Sequence, residues 1–303
     1  MAFAIEDIRF ALGEEKISVE ARFPDAARLI ARTGIATVYE TATTALDLAI
    51  QAAREIVAAN GAEDIGAVVY VTQSPSYALP SHACILHAAV GLPREAIAFD
   101  INQGCAGFVH ALTVSLGLLP SAGKVLIVCA DRYRAKLRPD DRSTQCVFSD
   151  AASATLVSAR PALALLAQTH ETDGSGQGLL FQSLDAAEND GYLHMAGSDV
   201  FMFTRRQVAP QLRRTLGLAG LALSDMDYVF VHQASAPVVD SLASDFAEAR
   251  AVPKNVGEFG NTVSSTIPIL MAPLLNAMDG KRSALCGFGV GLSSSCLVLG
   301  PAT

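Results

Sequence analysis

Cys105 is the residue whose type and surroundings point most directly to chemistry. An apolar, β-prone run at residues 96–99 leads into a turn at Gly104, and a helical pattern of apolar residues begins at Phe108. At a helix start, unpaired N–H groups and the helix dipole favour a thiolate, so we expect the Cys105 pKa to lie below the free value of about 8.5. Most lone cysteines are small buried hydrophobic residues, but Gly104 and Gly107 leave space for a ligand to reach this sulfur. The elbow therefore predicts a nucleophile.

Two further polar segments each follow the end of a predicted element. His232 closes an apolar strand at residues 228–231, and Asn261 lies in a tight loop ahead of an apolar helix predicted over residues 269–278. Taken alone, such a histidine is usually a hydrogen-bonded structural group, and an asparagine after glycine is usually a turn residue. Here Cys, His and Asn follow one another along the chain, each at the end of an element. That arrangement favours a shared site.

These segments carry a resemblance to a known family. Residues 99–108, 232–234 and 260–268 resemble the nucleophile elbow, the His-Gln-Ala-Asn segment and the Gly-Asn-Thr segment of the β-ketoacyl synthase III branch of the thiolase superfamily. Residues 32–35, Arg-Thr-Gly-Ile, and residues 141–144, Asp-Arg-Ser-Thr, match further motifs of that branch. The resemblance covers nearly the whole chain in the family's order and spacing.

The resemblance implies an α/β thiolase fold with five layers, αβαβα, built from two halves related by a pseudo-twofold axis. The first half, residues 1–159, would carry the nucleophilic cysteine, and the second, residues 160–303, would carry the histidine and the asparagine. The segment Ser-Ala-Arg-Pro at residues 158–161 is the predicted boundary.

The resemblance also implies a role for each polar residue. Cys105 would attack an acyl thioester and form an acyl-enzyme, which divides acyl transfer into two easier steps. His232 and Asn261 would then donate N–H groups to the enolate oxygen left when a malonyl thioester loses carbon dioxide. The backbone N–H groups of Cys105 and Val290 would form a second oxyanion site during acylation. Acyl-CoA would be a substrate, and the reaction would need no metal or other cofactor.

Binding residues carry over from the family less completely. The family's coenzyme A entrance is lined by arginines, whose cations suit phosphates. Its acyl pocket is closed by a residue that reaches across the interface of a homodimer, and leucine at that position would leave room for a larger or differently shaped acyl group. The matching residues here are Arg32 and Arg142 at the entrance, Leu79 at the interface, and Phe148, Met195 and Phe201 as candidate pocket walls.

The surface that docks an acyl carrier protein in the family is changed. Where the family reads His-Gln-Ala-Asn-x-Arg, this chain has Ser235 and Pro237, and Asp240 and Asp245 follow on the same predicted helix. Because steering of an acidic carrier depends on a complementary basic surface, we expect coenzyme A thioesters to be preferred over a generic carrier protein. A carrier protein stays a possible partner, because Arg205 and Arg206 could compensate for the basic residues that this face lacks.

Composition agrees with this reading. The 303 residues are 51% hydrophobic and 17% charged, enough for a large core in one or two domains. The six cysteines form no C-x-x-C pair, and the start of the chain resembles no signal peptide, so we expect reduced thiols in a cytoplasmic protein. No apolar run approaches the roughly 18 residues that a membrane span needs. The net charge of −8 argues against nucleic acid as a partner.

Three functions stay open on the sequence. The first is a condensing enzyme that joins an acyl-CoA to a malonyl thioester. The second is an acyltransferase of the same fold that passes the acyl group to a hydroxyl or an amine. The third is a non-catalytic partner subunit, which the intact Cys105, His232 and Asn261 argue against. Release of carbon dioxide from a malonyl thioester distinguishes the first from the second.

Overall fold

The computed structural model describes residues 2–302, and most of its strands join one mixed sheet of eight strands. The strands are β1 Ala2–Leu12, β2 Glu15–Ser18, β3 Thr37–Glu40, β4 Ile65–Val71, β5 Ile97–Ile101, β6 Lys124–Asp131, β7 Ala151–Thr172, β8 Leu180–Phe181, β9 His194–Met195, β10 Tyr228–Val231, β11 Ser283–Gly289 and β12 Ser293–Pro301. The short pairs β2–β3 and β8–β9 form separate ribbons.

The α-helices alternate with these strands along much of the chain. They are α1 Val19–Arg22, α2 Ala26–Thr33, α3 Ala45–Asn60, α4 His82–Val90, α5 Gly107–Ala122, α6 Arg142–Gln145, α7 Gly197–Leu218, α8 Ala236–Asp245, α9 Val256–Phe259 and α10 Thr266–Met271. Among residues 2–302, none of these helices combines the length and the hydropathy needed to cross a membrane.

The same order of strand pairings occurs in both halves of the chain. In the first half β4 pairs parallel with β6, β6 antiparallel with β7, and β7 antiparallel with β1. In the second half β10 pairs parallel with β11, β11 antiparallel with β12, and β12 antiparallel with the later part of β7. The repeated order is the topology expected of two related halves, although β5 extends only the first.

Strand β7 connects the two halves without a linker. Its residues 151–158 pair with β6, and its residues 163–172 pair with β12. The predicted boundary at residues 158–161 therefore lies inside one 22-residue strand. Pro161 falls in the short stretch between the two paired parts, where its missing N–H costs no ladder hydrogen bond.

The buried side chains form three clusters, which pack five layers of helices and strands together. Helices α3 and α4 cover the outer face of the first-half strands. Helices α5 and α10 lie between the first-half and second-half strands, with Phe108 and Leu270 among their buried residues. Helices α7 and α8 cover the outer face of the second-half strands. This αβαβα order confirms the predicted thiolase-like fold.

The elements that lead to the site agree closely with the sequence prediction, with one correction. The strand at 228–231 is β10, and the strand predicted at 96–99 is β5, shifted toward the elbow. The single helix predicted over 269–278 is wrong in its extent. It is α10 followed by a 3₁₀ segment, Ala272–Met278. Pro273 has no N–H to continue the α-helical ladder, which accounts for the change.

Candidate active site

One cavity of about 560 Å³ brings Cys105, His232 and Asn261 together. Cys105 lies in the elbow between β5 and α5, His232 directly follows β10, and Asn261 lies in the loop before α10. Strand ends and the loop before the central helix thus converge on one place between the layers. The cavity is lined mainly by apolar side chains, and Arg32 is the only lysine or arginine among the described residues that line it.

The backbone approaches the Cys105 sulfur closely. The N–H groups of Val290 and of Cys105 itself donate toward it. Gly289 has a φ of +153°, and a Cβ at this position would lie 3.0 Å from the sulfur and 2.8 Å from the Cys105 Cβ. Only glycine lets the β11–β12 turn come this near. The two donors predicted for an oxyanion site therefore meet at the sulfur.

The predicted lowering of the Cys105 pKa is wrong. Burial and, to a lesser degree, the charge of Asp131 raise the pKa of the Cys105 thiol to about 12, although the Val290 and Cys105 N–H groups act in the other direction. The side chain is only 7% exposed. Helix α5 begins at Gly107, two residues later, so the sulfur lies outside its first turn. With its pKa raised to about 12, the Cys105 thiol is protonated at neutral pH.

This pKa predicts how Cys105 reacts with an alkylating reagent. Because the thiolate is the reactive form, alkylation of the Cys105 peptide by iodoacetamide should become faster by about tenfold per pH unit, with no plateau between pH 7 and 10. Mass spectrometry of quenched samples gives the rate, and the exposed Cys84 supplies an internal reference thiol. A Cys105 rate that levels off below pH 8 would instead show a lowered pKa.

His232 is held as a buried neutral imidazole. Its Nδ1 lies 2.7 Å from Thr266 Oγ1, and its backbone N–H donates to the Cys286 carbonyl oxygen at 2.9 Å. The edge of its ring meets Phe288, with ring centroids 5.4 Å apart. Burial lowers the pKa of His232 to about 3. When Thr266 donates to Nδ1, Nε2 carries the proton and becomes a neutral donor.

Asn261 is oriented by its own loop. Its Oδ1 accepts a hydrogen bond from the Val263 N–H at 2.9 Å, and its backbone N–H donates to the Val147 carbonyl oxygen at 2.8 Å. Val263 has a φ of +54°, unusual for a β-branched residue and a source of local strain. Because Oδ1 is occupied, the amide NH₂ group is the part of the side chain available to a ligand.

Five of the seven predicted binding residues line this cavity, namely Arg32, Phe148, Met195, Phe201 and Ser235. Arg142 and Leu79 do not line it. The Arg142 guanidinium forms an ion pair with Asp25 at 3.2 Å. Leu79 is 85% exposed, and its predicted place in the pocket of a second protomer stays a prediction.

The sequence did not single out Thr266 or Tyr133. Thr266 contacts His232, and Tyr133 lines the cavity. Thr266 lies within the segment 260–268, where nothing in the sequence distinguishes it from the neighbouring hydroxyl residues, and Tyr133 belongs to none of the three polar segments. A hydroxyl five residues after Asn261 is the only signal that the sequence offers for Thr266.

The face expected to repel a carrier protein is neutralised by ion pairs. Asp240 pairs with Lys254 at 2.5 Å, and Asp245 pairs with Arg205 at 2.5 Å. The expected excess of negative charge from these two aspartates is therefore wrong. Their partners come from other elements, which a reading of one helix does not include.

Comparison with known proteins agrees with this geometry. Residues 99–174 match the family model "3-Oxoacyl-[acyl-carrier-protein (ACP)] synthase III", and residues 216–300 match its C-terminal counterpart. A β-ketoacyl-[acyl-carrier-protein] synthase III of Streptococcus pneumoniae is 31% identical over 287 residues, 88% of each chain.

Solved structures show the same relationship. A crystal structure of a 3-oxoacyl-(acyl-carrier-protein) synthase III superposes with a TM-score of 0.91 at 32% identity, covering 99% of this chain and all of the other. The synthase III FabH of Pseudomonas aeruginosa PAO1 superposes equally well at 30% identity, covering 100% and 99%. The chain therefore belongs to the β-ketoacyl-[acyl-carrier-protein] synthase III family and is a condensing enzyme of the acyltransferase class.

Proposed function

We propose that this enzyme condenses an acyl-CoA with a malonyl thioester, through an acyl-enzyme on Cys105, to give a 3-oxoacyl product and carbon dioxide. The observation that carries the proposal is the convergence of Cys105, His232 and Asn261 on one largely apolar cavity. Cys105 carries the acyl group through both half-reactions, and His232 and Asn261 act together in the second.

In the first half-reaction Cys105 takes the acyl group. Its sulfur attacks the thioester carbonyl carbon, the new S–C bond forms, and the C–S bond to coenzyme A breaks. Because the thiol is protonated at rest, its proton leaves as the attack proceeds and ends on the departing coenzyme A sulfur. In this step the N–H groups of Cys105 and Val290 would donate to the thioester oxygen as it becomes negative.

In the second half-reaction a malonyl thioester loses carbon dioxide. The electron pair of the broken C–C bond passes into an enolate, whose oxygen accepts hydrogen bonds from His232 Nε2–H and the Asn261 amide. The enolate carbon attacks the acyl group, a C–C bond forms, and Cys105 leaves and regains a proton. This role requires the Thr266 hydroxyl to donate its one proton to His232 Nδ1 rather than to the Val263 carbonyl oxygen 3.2 Å away, which would keep the ring proton on Nε2.

The charge distribution in the cavity favours loss of carbon dioxide. Arg32 is the one lysine or arginine among the described lining residues, and its side chain is exposed. The malonyl carboxylate would therefore meet no cation deep in the apolar cavity, where burial of a charge is costly. Decarboxylation removes that charge as neutral carbon dioxide.

Transfer to a hydroxyl or an amine is the second candidate. A hydroxyl acceptor needs a general base whose pKa lies near the working pH. His232 is the only imidazole that lines the cavity among the described residues, and its pKa of about 3 makes it a weak base. This observation favours condensation.

The product distinguishes the two reactions. We expect the enzyme, incubated with an acyl-CoA and malonyl-CoA, to form a 3-oxoacyl thioester that mass spectrometry identifies. The same enzyme offered an acyl-CoA with alcohols or amines should form no ester or amide above the uncatalysed rate. Ester or amide formation without any 3-oxoacyl product would contradict the proposal.

The donor of the acyl group is proposed to be a coenzyme A thioester. Arg32 lies at the cavity and is available to a phosphate.

The ion-paired face around Asp240 and Asp245 offers an acidic carrier protein neither strong steering nor strong repulsion. Discrimination against a carrier-bound malonyl group should therefore be small, and similar turnover with malonyl-CoA and a malonyl carrier protein is expected.

We also propose a homodimer built on strand β5. Within residues 2–302, β5 pairs only with β4 and leaves its other edge free at the end of the sheet. Ile97 on this strand is 48% exposed, and Val114 on α5 is 41% exposed. A free apolar strand edge is a template for a second strand. Sedimentation velocity at micromolar concentration should show a dimer, and a monomer there would contradict this arrangement.

A further inference from the structure

A second cavity, of about 400 Å³, adjoins the catalytic one. Tyr133 lines both cavities, and Val290 lines the second directly beside Gly289, which lines the first. The second cavity contains many polar side chains, in contrast to the mainly apolar first. No step of the proposed reaction uses it.

Two residues that line the second cavity, Tyr133 and Gln73, are hydrogen-bonded to each other close to the elbow. The Tyr133 hydroxyl donates to Gln73 Oε1 at 2.7 Å. Gln73 Oε1 is also so close to the elbow that a Cβ on Gly104 would lie 2.4 Å from it. Gly104 directly precedes Cys105. Gln73, which lines the second cavity, is therefore close to the residue that precedes Cys105 in the chain.

Lys136 brings a half-buried cation to the second cavity. Its Nζ donates to the Gln73 carbonyl oxygen and lies 5.5 Å from the centre of the Tyr133 ring. An ammonium has three donors, and within residues 2–302 the Gln73 carbonyl is the only protein acceptor that Nζ has. No carboxylate oxygen of the same residues lies within 4.0 Å of it. A partly buried cation without a counter-charge is costly.

The two carboxylates nearest in this region are already engaged. Asp131 accepts from the Gln73 N–H at 2.8 Å and from Ser264 Oγ at 2.5 Å. Asp100, which lines the cavity, accepts from His82 Nδ1 at 3.0 Å and from the Ala83 N–H at 2.8 Å at the start of α4. Burial lowers the pKa of Lys136, and the charge of Asp131 acts in the other direction without cancelling the effect of burial. Neither aspartate closes an ion pair with Lys136.

We propose that the second cavity binds the distal carboxylate of the acyl group, with Lys136 as its cation, so that the preferred donor is a short ω-carboxyacyl thioester. This inference rests on the proposed acylation of Cys105. The chain would pass between Tyr133 and Gln73, whose hydrogen bond would give way to contacts with the substrate. The reaction at Cys105 is unchanged: the S–C bond forms, the bond to coenzyme A breaks, and the thiol proton passes to its sulfur.

The length of the acyl chain follows from Gln73. This one residue touches the elbow through Oε1 and holds Lys136 through its carbonyl oxygen. Because Gln73 links the residue before Cys105 to the cation, we infer that a short acyl chain reaches Lys136. Succinyl and glutaryl groups are therefore the donors to test.

The test compares acyl groups of equal carbon number with and without a terminal carboxylate. The initial rate of acylation of Cys105 is measured by intact mass with succinyl-CoA, glutaryl-CoA, butyryl-CoA and valeryl-CoA. In Lys136→Met, acylation by the better carboxyacyl donor at subsaturating concentration should fall by on the order of 10- to 100-fold, the effect of one charge-assisted hydrogen bond. Acylation by butyryl-CoA should be unchanged or faster. Lys16→Met, a matched change on exposed β2, should behave as the wild type.

Each outcome bears on a different claim. Equal loss of all four acylations in Lys136→Met, together with normal circular dichroism, would overturn the carboxylate site, as would unchanged succinyl and glutaryl rates. If that variant fails to fold, Lys136→Gln replaces it under the same criteria. Acylation of the wild type by butyryl-CoA or valeryl-CoA alone would reject the carboxylate site and leave the proposed function intact. Absence of acylation by these four donors would reject the carboxylate site, and absence of acylation by octanoyl-CoA and lauroyl-CoA as well would also reject the proposed function.

Discussion

Replacement of Cys105 by alanine is expected to abolish formation of the acyl-enzyme. Incubation of the wild type with an acyl-CoA should add one acyl mass to the Cys105 peptide, and Cys105→Ala should add none. Condensation should fall by at least on the order of 10³-fold, because the covalent step that divides the reaction is lost. Among the described cysteines, only Cys105 has the Val290 N–H and the Gly289 backbone close to its sulfur.

Cys286 provides the matched control for this experiment. Its side chain is buried beside Cys296, with the two sulfurs 3.4 Å apart. Its backbone carbonyl oxygen accepts the His232 N–H, a bond that does not involve the thiol. We expect Cys286→Ala to form the acyl-enzyme at Cys105 as the wild type does. An acyl mass on Cys286 or Cys296 in the Cys105→Ala protein would show that the nucleophile is misassigned.

Replacement of Asn261 by alanine should separate the two half-reactions. The variant loses a donor to the enolate oxygen, which commonly costs on the order of 10²–10³ in rate. It keeps the Cys105 and Val290 N–H groups that serve acylation. Acylation measured by intact mass should therefore stay within about threefold of the wild type, while condensation falls by the full factor.

Two further variants make this result interpretable. Asn261→Asp keeps an oxygen to accept the Val263 N–H but removes the amide donor, so it should support the strained loop and still fail in condensation. Asn255 makes no side-chain capping bond at the start of α9, and Asn255→Ala should leave both steps unchanged. The contrary result is an Asn261 variant that fails to take an acyl group from acyl-CoA, yet condenses normally when it is supplied with the acyl group already on Cys105. That result would reverse the assigned roles.

The arrangement of the three reacting residues could be predicted from the sequence because each one ends a recognisable element. The apolar strand at 228–231 and the elbow around Gly104 fix where the backbone turns, and strand ends gather at one place in layered α/β folds. Local patterning and the family resemblance together were sufficient for the fold and for the placement of Cys105, His232 and Asn261 in one cavity.

Properties that depend on distant contacts could not be predicted in this way. The Cys105 pKa is set by burial and by Asp131, which lies on another strand. The aspartates of α8 looked unpaired along the chain, yet their cations come from α7 and from the segment after α8. Arg142 likewise turns away to Asp25. The charged residues along one helix do not show which residues of other elements will pair with them.

The most direct test of the proposed reaction is a single turnover of pre-acylated enzyme. Wild-type protein carrying one acyl group on Cys105 is separated from free acyl-CoA and mixed with malonyl-CoA labelled in its free carboxylate. We predict that the acyl mass leaves Cys105 with release of one labelled carbon dioxide and one 3-oxoacyl thioester for each acyl group discharged. Discharge to water, an alcohol or an amine without carbon dioxide, or an acyl group that stays on Cys105 after malonyl-CoA is added, would contradict decarboxylative condensation.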